Sequence, residues 1–401
     1  MSAGPLEGIR VLDMTSVIMG PLATQTLGDL GAEIIWVEPV EGDITRVMVA
    51  GAHPELSGVA MNLHRNKRSV CLDLKAPGGR DAVLAVAATC DVVVTNLRPR
   101  PLARLGLTYD DVRAVRPDVL FCQGVGYPSD SVDADAPAYD DIIQSASGLA
   151  DAFRLAQGEP NLVPSVLADK VCGLVMAQAV LAALVHRLRT GEGQRLEVPM
   201  IDVMRAFVLV EHIGAAATVP ASGPVGHRRI LTPHRRPQRT QDGWVNVLPY
   251  DAAHWVAIFV EGGREDLRDD PRIHDRALRF QESGFLYATL AEVLVTRPTA
   301  AWLAFCAEHG IPATALGSID DIVAGLPVAE HPLVGGYRYV PPPVRYGRSP
   351  TGLRRPAPRI GEHGREVLAE CGLSHDAVDA LVASGALRVP SSIPSPASGG
   401  Q

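Results

Sequence analysis

A lone carboxylate, Asp169, opens a long apolar run in Val163-Pro-Ser-Val-Leu-Ala-Asp-Lys-Val-Cys-Gly, and the small residues after it leave room for a ligand to come close. At a helix N-terminus a carboxylate sits among unpaired backbone N–H groups and the positive end of the dipole, so it is expected to stay ionised and to be usable as a nucleophile. The bland reading is an N-cap, where Asp is favoured for structural reasons alone. Position by itself does not separate the two.

Other chemistries find less support in the spacing. Cys71, Cys90, Cys122, Cys172, Cys306 and Cys371 are scattered, with no CxxC pair and no histidine at metal-ligand spacing, so they read as buried thiols in a reducing cytoplasm and no metal site is expected. No HExxH, GxxxxGK[ST] or GxSxG occurs, which removes metalloprotease, P-loop NTPase and α/β-hydrolase as leading readings. The glycine fingerprint of a dinucleotide site is missing from the turn Thr15-Ser-Val-Ile-Met-Gly-Pro, and Gly124-x-Gly126 alone is a weak signal. A net charge of −8 argues against a nucleic-acid partner held by phosphate neutralisation. The apolar stretch Val171 to Val185 reads as too short to span a bilayer and no signal peptide is evident, so no membrane partner is expected and the chain is expected in the cytoplasm.

The elements that must position Asp169 follow from periodicity. Gly8-Ile-Arg-Val-Leu-Asp-Met reads as a strand, Leu22 to Leu30 as a helix and Glu33 to Glu38 as a strand. Ser69 to Leu74, Asp91 to Thr95 and Val119 to Gly124 continue as strands, with a helix over Pro77 to Ala88. Near-continuous apolar strands alternating with helices predict an α/β fold with a parallel sheet covered on both faces. Val166 to Arg189 is predicted as one helix and Arg195 to Pro199 as a last strand of the sheet.

At 401 residues two domains are expected. The first, Rossmann-like, is read as residues 1–207. A smaller α+β domain with its linkers spans 208–326, with a strand near Gly243 to Tyr250 and helices over Ala253 to Val260, Tyr287 to Val295 and Ala300 to His309. After Leu326 the chain reads as Pro-rich and irregular, then helical over Gly361 to Glu370 and His375 to Ser384, and the tail Pro390 to Gln401 as disordered.

Several segments together carry a family resemblance. They are Gly8-Ile-Arg-Val-Leu-Asp, Gly20-Pro-Leu-Ala-Thr-Gln with Asp29-Leu-Gly-Ala-Glu, Val37-Glu-Pro, Asn66-Lys-Arg-Ser with Leu72-Asp-Leu-Lys, Asn96-Leu-Arg-Pro, Arg104-Leu-Gly-Leu, Pro137-Ala-Tyr-Asp with Gln144-x-x-Ser-Gly, Gly191-Glu-Gly-Gln and Gly361-Glu-His. In this order they resemble the class III CoA-transferases of the CaiB/BaiF type, which include formyl-CoA transferase and carnitine CoA-transferase, with α-methylacyl-CoA racemase as a cousin. The resemblance implies a large domain completed by residues 327–389, a small domain between, and an interlocked homodimer. It also implies acyl-CoA and a carboxylic acid as substrates, with no tightly bound cofactor.

Within that resemblance Asp169 matches the family's nucleophilic aspartate. Coenzyme A contacts are implied at Ile18 and Met19, at Leu72, Asp73 and Lys75, at Asn96, Leu97 and Arg98, and at Arg104, with Tyr139 and Asp140 near the thiol. Without the resemblance the cationic members read equally as solvated surface. Two departures bear on substrate. Ile18 stands where formyl-CoA transferase has glutamine, which implies a more hydrophobic acyl group. No glycine-rich loop is visible, the region reading Gly226-His-Arg-Arg-Ile-Leu-Thr-Pro-His-Arg-Arg, so formyl or oxalyl transfer is not expected. These arginines with His227 and His234 are read as a solvated basic loop, carboxylate binding being the alternative.

Racemisation needs an acid and a base on opposite faces of the α-carbon, which the cousin supplies with a His-Asp pair. Here the loop reads Ala138-Tyr139-Asp140, and a phenol of pKa about 10 replaces imidazole poorly. A non-catalytic acyl-CoA binder would have no need of Asp169.

Overall fold

The structure, a computed structural model, describes residues 4–390; the rest of the tail reading, 391–401, lies outside the described residues. The described residues divide into two compact units, one of residues 4–144, 164–205 and 326–390, the other of residues 145–163 and 206–325. The division by sequence at 207 and 326 differs from this chiefly in residues 145–163. That segment holds a helix whose Leu155 and Ala156 line a cavity with Ser222–Gly226, a long-range association that local periodicity does not reveal.

The first unit is built from β1 (Arg10–Met14), α1 (Met19–Asp29), β2 (Glu33–Glu38), α2 (Gly58–Leu63), β3 (Lys67–Leu72), α3 (Gly79–Ala88), β4 (Val92–Thr95), α4 (Pro99–Leu105), α5 (Tyr109–Val115) and β5 (Leu120–Val125). It continues with α6 (Asp140–Ala146), which runs over the unit boundary. After α7 (Leu149–Gln157), which belongs to the second unit, come α8 (Leu167–Thr190) and β6 (Gln194–Pro199).

The sheet runs β3-β2-β1-β4-β5-β6, all parallel, in registers such as Leu12↔Ile35 and Leu12↔Val93. Strands such as Val92-Val-Val-Thr are buried along their whole length, as a sheet covered on both faces requires. This is the doubly wound order, whose crevice opens where the order reverses, outside the carboxyl ends of β1 and β4. The expected last strand, β6, closes only one edge. At the other, the short strand Leu387–Arg388 pairs antiparallel with β3, so the C-terminal segment finishes the sheet. A two-residue strand with so little apolar pattern leaves no periodicity to read.

Two further expectations change. The segment after Leu326 is not irregular throughout, because Val328–His331 and Gly335–Arg338 form an antiparallel hairpin. The 24 residues of α8 are also long and apolar enough to cross a membrane by length and composition, since the helix continues past the apolar stretch at both ends. Here it packs on α1, β5 and β6, with Cys172, Met176, Ala177, Val180 and Ala183 buried, as a core helix does. It ends at Gly191, whose φ of 79° suits a left-handed cap.

The second unit has a small antiparallel sheet of Gln238–Arg239, Trp244–Val247 and Ala313–Ala315. Helices Ala252–Glu261, Ser283–Leu294 and Thr299–Glu308 enclose a core of Val245, Val247, Trp255, Ile258, Phe259, Leu290 and Trp302.

Candidate active site

Asp169 lies in the first turn of α8, three residues past the N-cap position held by Val166, so it is not the cap. Gly173, one turn further along the same face, explains its placement. A Cβ there would lie 2.5 Å from the carbonyl oxygen of Met19, so α8 crosses the start of α1 at backbone distance. Val17, Ile18 and Leu22 then share one cavity with Asp169, Lys170, Leu174 and Leu181.

This cavity has a volume of about 1000 Å³, the upper end of what small-ligand sites span, and its walls are mostly apolar. Its far wall comes from the C-terminal segment, Val340 to Val344 with Tyr346 and Thr351. Tyr139, Asp140, Asp141 and the Asp29–Arg65 ion pair supply polar groups.

A second carboxylate holds the first in place. Asp140 is buried at the start of α6; its Oδ1 accepts the backbone N–H of Asp169 at 3.0 Å and its Oδ2 accepts Gln144 Nε2 at 2.6 Å. Gln144 also donates to the Ser165 carbonyl, which ties α6 to the turn entering α8. Among the described residues no hydrogen bond reaches the carboxylate of Asp169 itself.

The expectation that Asp169 simply stays ionised needs correction. Burial, then the nearby charges of Asp140 and Asp141, push its carboxyl up to about 6, outweighing the favourable helix terminus. It remains mostly an anion at neutral pH, but one with little hydrogen-bond stabilisation and hence more basic than an ordinary aspartate.

The turn before α1 is strained and braced. Val17 has φ 68°, a region that β-branched residues rarely enter. Its N–H donates to Asp43 Oδ2 at 3.2 Å, and Asn96 clamps Ser16 by accepting its N–H at 3.0 Å and donating to its carbonyl at 2.9 Å. Beneath lies a buried ion pair: Lys67 donates to Asp13 at 3.0 Å and to Thr24 Oγ1 at 2.8 Å. Burial lowers the Lys67 pKa despite the opposing pull of Asp13.

Of the residues expected to serve the site, Ile18, Tyr139, Asp140 and Asp169 line the one cavity. The others do not. Met19 is buried, its Cε 2.4 Å from where a Cβ on Gly124 would stand. Leu72 ends β3 with its side chain buried in the core, and Leu97 packs against that core. Asp73 accepts the N–H of Lys75 in a turn after β3, leaving the Lys75 side chain exposed. Asn96 spends its amide on Ser16, Arg98 donates to the Asp135 carbonyl, and Arg104 is exposed in the last turn of α4. These positions follow β1, β3 and β4 at the carboxyl edge of the sheet. Sequence reading passed over Gln144 and Arg65 as site residues; the Asp140-x-x-x-Gln144 spacing, one helical turn, was the available signal for the former.

The chain matches the family described as CoA-transferase family III over residues 6–364. It is 32% identical to a probable fatty acyl-CoA transferase of Mycobacterium tuberculosis, over 92% of this chain and 98% of that one. It is 30% identical to the succinyl-CoA:glutarate CoA-transferase of Mus musculus, over 96% and 91% of the two chains. A solved CaiB/BaiF family protein from Brucella suis superposes with a TM-score of 0.79 at 26% identity, covering 92% of this chain and 100% of that one. The chain therefore belongs to CoA-transferase family III.

Proposed function

We propose that this family III CoA-transferase moves coenzyme A from an acyl-CoA thioester to a free carboxylic acid through covalent intermediates on Asp169. The observation that carries the proposal is a buried carboxylate, raised to about 6 and accepting no hydrogen bond from the described residues, that faces a large apolar cavity beside the switch point of the sheet. The relatives named for acyl-CoA substrates support it.

The Asp169 carboxylate adds to the thioester carbonyl, the C–S bond breaks, and CoA leaves as thiolate from a mixed anhydride. The thiolate attacks the aspartyl carbonyl and expels the donor acid, leaving an aspartyl-CoA thioester. The acceptor carboxylate then displaces CoA to form a second anhydride, and the returning thiolate takes the acceptor's acyl group and frees Asp169. Each addition places negative charge on a carbonyl oxygen. The N–H groups of Met19 and Gly20, in a first turn that no side chain caps, are our candidates for its donors.

The loops after β1, β3 and β4 are proposed to hold the coenzyme, with Lys75, Arg98 and Arg104 toward its phosphates and Tyr139 toward the thiol end. Asn96 acts there by shaping the turn at Ser16. Ile18 and the apolar walls suit a hydrophobic acyl group. No histidine is among the described residues that line the cavity, which argues against the racemase reading. A homodimer fits the apolar residues left exposed on α8, Leu174, Val185 and Leu188, and six free thiols fit a reducing cytoplasm.

The test is intact-protein mass spectrometry after incubation with a panel of acyl-CoA donors, followed by hydroxylamine or borohydride trapping and peptide mapping. An adduct on the peptide containing Asp169 is expected. No adduct, with deuterium entering the α-carbon of a branched acyl-CoA, would turn the assignment to a racemase.

A further inference from the structure

A second cavity, of about 390 Å³ and sharing no residue with that of Asp169, lies within the second unit. Three arginines line it, Arg229, Arg276 and Arg279, against Tyr250, Trp255 and Tyr287. None of the three guanidinium groups has a carboxylate partner among the described residues, and no carboxylate lines the cavity. Arg264, Arg268, Arg272 and Arg297 of the same unit are each ion-paired, and although among the described residues Arg228, Arg235, Arg236 and Arg239 are not, none of those four lines this cavity.

What holds them is neutral. Arg229 donates to the Tyr287 hydroxyl at 3.4 Å and lies over the Tyr250 ring at 5.7 Å, and Arg279 donates to the Ile273 carbonyl. Each keeps unused donors. In a chain of net charge −8, three unneutralised cations round one aromatic-walled hollow make a local site for an anion. The planar guanidinium fork matches a carboxylate, and the rings give an apolar bed to a carbon chain that an inorganic anion lacks.

We propose that this cavity binds a small organic dicarboxylate, its two charges shared among the three arginines and its carbon chain laid against Trp255 and Tyr250. Binding requires neither coenzyme A nor Asp169. The basic loop containing Arg229 thus contributes to a ligand site rather than only to a solvated surface.

The experiment is isothermal titration of the full chain with succinate, using inorganic phosphate as the comparison probe. Saturable binding is expected, unchanged by Asp169→Asn and weakened at least tenfold by Arg229→Lys and by the double variant Arg276→Ala, Arg279→Ala. Arg276 is exposed, so Arg276→Ala alone gives a variant whose fold is not at stake, and it too should weaken binding. No saturable succinate binding, binding that survives the arginine substitutions, or phosphate bound as tightly as succinate would each overturn the proposal.

Discussion

Asp169 combines two demands that oppose each other at a single residue. As a nucleophile it must be ionised, yet its burial and its two acidic neighbours favour the protonated form. With the pKa raised to about 6, kcat/KM for transfer should fall as pH is lowered through that value. Asp140→Asn keeps an acceptor for the Asp169 N–H but removes a negative charge, so the acid limb should move to lower pH. An unmoved limb would assign it to another group. Asp169→Ala should abolish transfer while coenzyme A still binds, as turnover assays and equilibrium dialysis would show. The same shift bears on stability. Between roughly pH 4 and 6 the folded chain keeps a proton that the unfolded chain has released, so the carboxyl is harmless to folding below that window and opposes folding above it. Asp169→Asn should therefore stabilise the protein by about 2–3 kcal/mol at pH 7.5, a gain that vanishes near pH 4, as read by denaturant titration at both pH values.

The decisive event among the elements is the crossing of α8 over the start of α1. Gly173 permits it, and Gly173→Ala would drive a Cβ to 2.5 Å from the Met19 carbonyl. The helices must then separate at a cost of about 1–3 kcal/mol, and Asp169 moves with α8. A lower melting temperature with a loss of kcat larger than any rise in KM is expected. The C-terminal segment that walls the cavity is held at Val340, whose N–H donates to Asn62 Oδ1 at 2.9 Å, and more extensively by Asn66. Asn66 accepts the N–H groups of Arg354 and Arg355 and donates to the Gly352 carbonyl at 2.8 Å and to Asp29 at 2.8 Å. Asn66→Ala should loosen this segment, so limited proteolysis should cut between Val340 and Arg355 faster than in the wild type.

For the whole molecule, the proposed homodimer predicts a mass in light scattering of about twice the 42.6 kDa of the chain, holding at micromolar concentration. A monomer there would leave the exposed apolar face of α8 without an explanation. The two units also respond to different substitutions. Changes at Asp169 and Gly173 belong to the first and those at Arg229 and Arg276 to the second, so catalysis and dicarboxylate binding should be separable by mutation.

Periodicity and turn chemistry in the sequence determined the alternating strands and helices, the parallel sheet and the helix that carries Asp169, because each rests on neighbours a few residues apart. The ordered set of short motifs determined the family. The resemblance already implied that residues 327–389 complete the large domain, but only the tertiary structure decided that they do so by a short antiparallel strand on β3 and that they wall the cavity, and that residues 145–163 join the second unit. It also decided that Asn96 shapes a turn, that Asp140 grips the backbone of Asp169, and that Arg229 meets Arg276 and Arg279 of one short helix without a counter-charge. These depend on groups far apart in the chain. Burial and charge neighbours, which set the pKa of Asp169 against the preference of its helix terminus, exist only once the chain has folded.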